Sequence, residues 1–330
     1  MQFDPQVRAL LNAMAQFPPL DFTTITPLAY RAALAAHPAF APGDAVAQER
    51  ELSVAGAAGP LPARLYRPHG DGPWPLTVFF HGGGFVTCGI ETHHNICRSL
   101  ANRAGTLVLS VGYRLAPEAR FPAAADDACA ALRWSAVHAA DLGALPDKLA
   151  VAGDSAGGNL AAVACQQLRD SVAVRHQLLL YPYLDCADES GSWRTFAQGC
   201  FLTEDMLRWY ARHYLPEPPD PRHGADVRAS PLRQRELAGV APATIITAEF
   251  DPLRDQGEAY GAALQRAGVD SVVRRWPGQI HGFMSMQGLL GAADAALDLA
   301  AGALRAAFAD VADIADIADV ADVTDTGKPA

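Results

Sequence analysis

From residue 76 onward, short runs rich in β-branched, aromatic and other apolar residues alternate with longer stretches of helical pattern. The runs are 76–80, 106–111, 149–153, 177–181, 243–248 and 271–276, and the stretches between them include 95–104, 123–139, 159–169 and 255–267. This alternation constrains the fold more than any other feature. A right-handed crossover between parallel strands lays each helix on one face of the sheet, so the pattern predicts an α/β fold: a mostly parallel central sheet with helices on both faces. Upstream, 51–54 and 63–67 flank a turn carrying Gly59 and Pro60 and predict an antiparallel hairpin that leads the sheet.

Two regions break the rhythm. Residues 1–45 carry short amphipathic patterns (Val7, Leu10, Leu11, Met14) interrupted by Pro18 and Pro19, and residues 186–228 carry one helical pattern followed by Pro216, Pro218, Pro219 and Pro221. Neither feeds the sheet, so both are expected to pack over its ligand edge as a helical cap on a single domain spanning 1–308. In residues 309–330 Asp recurs every third position from Asp310 to Asp325. That period drifts around a helix of 3.6 residues per turn, which predicts a solvated acidic tail rather than a packed helix.

Composition narrows the partners. The 330 residues carry 36 acidic and 26 basic side chains, a net charge of −10, which leaves no basic excess to neutralise phosphates and argues against a nucleic-acid partner. Half of that net charge belongs to the tail, where six Asp face one Lys, so the body is only mildly acidic. No stretch approaches about 18 uncharged apolar residues, and the N-terminus lacks the apolar run of a leader. The expectation is a soluble, cytoplasmic chain with no stable membrane insertion. Six cysteines without a Cys-x-x-Cys pair predict buried thiols in a reducing compartment and no metal site. A homodimer is left open.

The chemistry begins at Val151-Ala-Gly-Asp-Ser-Ala-Gly-Gly158, where an apolar strand turns into a helix. Gly153 and Gly157 flank Ser155 in the Gly-x-Ser-x-Gly pattern, whose small residues let a strand turn sharply enough to hold a serine hydroxyl above the sheet. A second glycine cluster, Phe80-His-Gly-Gly-Gly-Phe85, closes another strand. Its unshielded amides suit a developing oxyanion, and no Gly-Lys-Ser/Thr follows to make it a phosphate cradle. Gly83 and Gly84, with the amide of Ala156, are the expected donors.

A serine nucleophile needs a base, and the base an orienting carboxylate, following it in chain order as acid then histidine. Asp251 and His281 lie just past the last two strands. Glu249 and Asp255 are the rivals of Asp251, placed respectively in the strand end and the next helix. Of the other histidines, His138, His176, His213 and His223 fall in helical or cap segments, and His93 and His94 precede the serine. Phe85, Phe201, Leu202, Trp209 and Phe283 are substrate-pocket expectations from position alone.

Taken together, His81-Gly-Gly-Gly84, Gly112-Tyr-Arg-Leu-Ala-Pro-Glu118, Gly153-Asp-Ser-Ala-Gly-Gly158, Tyr181-Pro182, Asp251-Pro-Leu-Arg-Asp255 and His281-Gly-Phe283 resemble the hormone-sensitive-lipase-like carboxylesterases of the α/β-hydrolase superfamily over about residues 45–305. The resemblance implies Ser155, Asp251 and His281 as a catalytic triad and Gly83, Gly84 and Ala156 as the oxyanion hole. It also implies hydrolysis of small esters of short- to medium-chain acids through an acyl-enzyme, without a cofactor or a metal, beneath a cap. Gly112 stands where Asp or Asn is expected, a departure in a structural loop. Arg114 and Glu118 are expected to pair with each other, Asp154 to support the nucleophile from behind, and Arg254 and Asp255 to hold the acid loop. An acyltransferase or amidase would use the same groups. The reading from a different class, a non-catalytic binding protein on this scaffold, is disfavoured by the complete Ser-His-Asp set, and a long-chain lipase by the lack of an extended apolar lid.

Overall fold

The computed structural model describes residues 1–36, 41–187, 191–218 and 220–309; the Asp-repeat tail lies outside the described residues. The strands are β1 (Gln48–Gly56), β2 (Gly59–Arg67), β3 (Trp74–Phe80), β4 (Leu107–Val111), β5 (Ala144–Asp154), β6 (His176–Leu180), β7 (Ala243–Phe250) and β8 (Ser271–Ile280). They form one eight-stranded sheet in the order β1-β2-β4-β3-β5-β6-β7-β8. The leading hairpin pairs antiparallel and joins β4 antiparallel, and every later pairing is parallel. This is the α/β-hydrolase fold.

The helices are α1 (Pro5–Met14), α2 (Pro27–Ala36), α3 (His94–Ala104), α4 (Ala123–Val137), α5 (Ala156–Leu168), α6 (Ser192–Thr195), α7 (Glu204–Tyr214), α8 (Pro221–Ala225), α9 (Arg254–Arg266) and α10 (Gly291–Phe308). Successive strand residues point to opposite faces, and the sheet accordingly separates two cores. Val78, Phe80, Val151, Leu179 and Ile245 pack with α4, α5 and α9. Phe79, Ala150, Ala152, Leu178 and Ile246 pack on the other side with α3 and α10.

The segments outside the alternation divide. Val7 of α1 joins the core beneath α3 and α10, and the Asp4 amide donates to the Gly278 carbonyl near the end of β8. By contrast, Tyr30 of α2 and Trp209 and Tyr210 of α7 belong to the opposite core. The region expected to hold one helix carries three short ones, because Asp220 caps a new turn at Pro221 and Gly191 starts another at Ser192. Strand β5 begins five residues before the apolar run that signalled it, and β8 runs on to Ile280, so His281 follows it directly.

Candidate active site

Ser155 sits between the end of β5 and the first residue of α5 with φ 51° and ψ −118°. Its neighbours explain why this turn is built from glycines. A Cβ on Gly153 would lie 2.3 Å from the Gly157 carbonyl oxygen, and one on Gly157 would lie 1.9 Å from the Phe80 carbonyl oxygen. Only bare backbone permits strand and helix to approach so closely. The Ser155 amide donates to the Leu180 carbonyl at 2.8 Å and ties the turn to β6.

Three strand ends converge here. Asp251 follows β7 and His281 follows β8, and the imidazole lies between the carboxylate and Ser155. His281 Nε2 lies 2.9 Å from Ser155 Oγ, and His281 Nδ1 lies 2.8 Å from Asp251 Oδ2. Asp251 is fully buried, and its Oδ1 accepts the Leu253 amide at 2.8 Å. An ionised carboxylate only accepts, so the proton on the imidazole resides on Nδ1 and the Nε2 lone pair faces the serine hydroxyl. This arrangement can withdraw a proton from Ser155. Glu249 remains in β7, and its carboxylate accepts the Gly278 amide. Asp255 accepts the Ser192 amide and pairs with Arg254, whose guanidinium also holds the Glu249 carbonyl.

The glycine loop faces the same hydroxyl, and its peptide planes are fixed from behind. The Gly82 carbonyl lies 2.7 Å from His81 Nδ1, which donates to it. The Gly83 carbonyl accepts the amides of Val86 and Thr87 and the Thr87 hydroxyl. The Ser155 carbonyl accepts the amides of Tyr183 and Asn159. In a trans peptide the N–H points opposite to the carbonyl, so these bonds turn the amides of Gly83, Gly84 and Ala156 the other way. Among the described residues none of those three amides has a protein acceptor. Burial pushes the His81 imidazole down to about 4, which keeps it neutral beside its stacked partner Tyr113, whose hydroxyl donates to the His81 carbonyl.

A cavity of about 350 Å³ opens above Ser155, bounded by the glycine loop, His281, Met286 and the helices α2 and α7. Phe201 and Leu202 line it. Phe85, Trp209 and Phe283 are not among its lining residues, and that part of the expectation is corrected. Phe85 is buried at φ 64° and stacks on Tyr214 at 3.8 Å. Trp209 packs edge-on to Phe22 and Tyr30 and donates to the Ile25 carbonyl. Phe283 lies on the α3/α10 side against Tyr181 and Trp276. Tyr30, Leu34, Tyr183, Leu207 and Tyr210 line the cavity instead. The helical spacing of Leu207 and Tyr210 signalled one apolar face of α7, but not that this face roofs Ser155.

Two supporting expectations also change. Arg114 pairs with Asp127 of α4 at 2.7 Å, and Glu118 pairs with Arg31 of α2 at 2.8 Å, so the two do not pair with each other. His93, set aside because it precedes the serine, reaches Asp154 with Nε2 3.2 Å from Oδ2. Among the described residues no group of three or more His, Cys, Asp or Glu side chains is placed to hold a metal ion, and no helix is long and apolar enough to cross a membrane. All six cysteines are free thiols.

A family model described as alpha/beta hydrolase fold matches residues 77–285. The carboxylic ester hydrolase LipN of Mycobacterium tuberculosis is 45% identical over 264 residues, 78% of this chain and 69% of that protein. Ethyl acetate hydrolase of Pseudomonas putida is 40% identical over 74% of this chain and 78% of its own length. Among solved structures, the ester hydrolase EH1AB1 from the metagenome of Lake Arreo, complexed with a derivative of bipyridine phosphonate, superposes with a TM-score of 0.87 at 39% identity, covering 93% of this chain and 99% of that one. The hyperthermophilic esterase of the archaeon Pyrobaculum calidifontis gives a TM-score of 0.85 at 36% identity, covering 93% and 99% respectively.

Proposed function

Because the chain belongs to the hormone-sensitive-lipase-like carboxylesterases of the α/β-hydrolase fold family and is a carboxylic ester hydrolase, we propose that Ser155, His281 and Asp251 carry the hydrolysis and that small esters of short- to medium-chain acids are its substrates. One observation carries the residue assignment: the Ser155 hydroxyl meets an imidazole that is itself held by a buried carboxylate, 2.9 and 2.8 Å along the chain of contacts. In this reading His281 takes the serine proton as Oγ attacks the ester carbonyl. The amides of Gly83, Gly84 and Ala156 receive the oxyanion, and His281 returns the proton to the departing alcohol. Water then repeats the sequence on the acyl-enzyme, with Ser155 leaving. Asp251 holds Nδ1 protonated and stabilises the imidazolium that forms between the steps.

The cap in this proposal is α2 with α6–α8, over a catalytic body that ends with α10. The cavity volume, about 350 Å³, lies near the lower end of small-molecule pockets, which run roughly 300–1,000 Å³. That size supports short and medium acyl chains over fatty ones. A series of 4-nitrophenyl esters from acetyl to palmitoyl tests it, with kcat/KM expected to peak between butanoyl and octanoyl. A maximum at palmitoyl would point to a lipase. Transfer to an added alcohol exceeding hydrolysis would point to an acyltransferase, and an anilide cleaved faster than the matching ester to an amidase.

A further inference from the structure

We propose that His93 is a positioning residue for the glycine loop, acting through Asp154 to hold the amide of Gly82 and thereby aim those of Gly83 and Gly84. The proposal rests on the reading of those amides as oxyanion donors.

Asp154 immediately precedes Ser155, yet its carboxylate crosses to the loop after β3. Oδ1 accepts the Gly82 amide at 2.8 Å, and Oδ2 lies 3.2 Å from His93 Nε2. The fit is close enough that a Cβ on Gly82 would lie 2.5 Å from Oδ2. Both partners are secluded, with side-chain exposures of 7% for His93 and 5% for Asp154. A buried carboxylate needs donors, and among the described residues Oδ2 has no other than His93. The proton therefore sits on Nε2 and points at Oδ2. The Gly82 amide, 3.3 Å from the same nitrogen, gives its own proton to the nearer Oδ1.

The far side of the ring is anchored as well. His93 Nδ1 accepts the Thr92 hydroxyl, 2.8 Å away, and Thr92 Oγ1 in turn accepts the Gly89 amide. His93 is also the residue from which α3 starts. The chain of contacts thus runs from a helix start through an imidazole and a carboxylate to the first glycine amide. Burial pushes the Asp154 carboxyl up, but the charge and hydrogen bond of His93, the nearby His81 and the Gly82 amide outweigh it and hold the group below the ordinary carboxylate range. Loss of the His93 donor would leave Oδ2 unpaired. The carboxyl group would take up a proton or turn, and Gly82 would lose its fixed acceptor.

His93→Gln and His93→Met test this with side chains of similar length, of which only glutamine can donate to Oδ2. Steady-state hydrolysis of a butanoyl ester, the rate of phosphonylation by a serine-directed phosphonate and the thermal midpoint are measured on both and on His93→Ala. The expected result is that H93M and H93A lose about 10- to 100-fold in kcat and in phosphonylation rate with KM within about twofold, since both reactions place negative charge on an oxygen facing these donors and a misplacement of about 1 Å costs about 10²-fold. H93Q should recover most of that loss. Equal turnover of H93Q and H93M, or a rise in KM with unchanged kcat, overturns the proposal, and the Gln and Met pair decides it if H93A does not fold. Ser155→Ala is assayed alongside. If S155A is silent while H93M is as fast as the parent, the positioning role fails and the esterase reading stands.

Discussion

Ser155 occupies a region of backbone space that side-chain-bearing residues rarely adopt, at a cost of about 1–3 kcal/mol. The surrounding backbone enforces it. Gly157 cannot accept a methyl group, because its Cβ would fall 1.9 Å from the Phe80 carbonyl, backbone against backbone. Gly157→Ala should therefore lower the thermal midpoint by many degrees or prevent folding, as a melting curve would show. Asp251→Asn acts on chemistry alone. It preserves shape but loses the charge that stabilises the imidazolium and selects the tautomer, so kcat should fall about 10⁴-fold with a near-native melting curve. A loss of less than about tenfold would remove Asp251 from the role assigned to it.

At the scale of elements, the site depends on how α2 is moored. Arg31 donates from Nε to the Val86 carbonyl at 2.7 Å and from Nη2 to the Ala116 carbonyl at 2.6 Å, besides its pair with Glu118. Glu118 is largely exposed, so the carbonyl bonds contribute more than the ion pair. Tyr30 and Leu34 of the same helix line the cavity. Arg31→Ala should raise KM several-fold and leave kcat within about threefold, which steady-state kinetics on one short ester would check. The sheet, its crossover helices and the leading hairpin were legible in the sequence because they rest on local periodicity and on the Gly-Pro turn. The convergence of Ser155, Asp251 and His281 was legible for the same reason, since each follows a strand end. The cavity lining was not. Phe85 and Phe283 sit close in sequence to the glycine loop and His281, and Trp209 lies in α7, yet local turn geometry at the first two and helix phase at the third send them into one core or the other. His93 was missed because its role depends on packing between α3 and the glycine loop, which chain order does not encode.

At the scale of the whole molecule, two buried imidazoles link stability to pH. His81 and His176 are each pushed down by burial to about 4, whereas the same groups titrate near 6.5 in the unfolded chain. Between those values the unfolded state binds more protons, so their contribution is fully present above about pH 6.5 and is lost as pH falls towards 4. The thermal midpoint should decline over that window, and His176→Asn should flatten part of the decline. The catalytic body should be self-sufficient after α10, so ending the chain at Ala309 should leave ester turnover within about twofold. Hydrolysis should proceed through a covalent intermediate on Ser155. Intact-mass and peptide mapping after reaction with diethyl 4-nitrophenyl phosphate tests it most directly. One diethylphosphoryl group on Ser155, appearing in step with the loss of esterase activity and absent from Ser155→Ala, is the predicted result. Full activity in labelled protein, or a Ser155→Ala variant that hydrolyses esters at the parent rate, would contradict it.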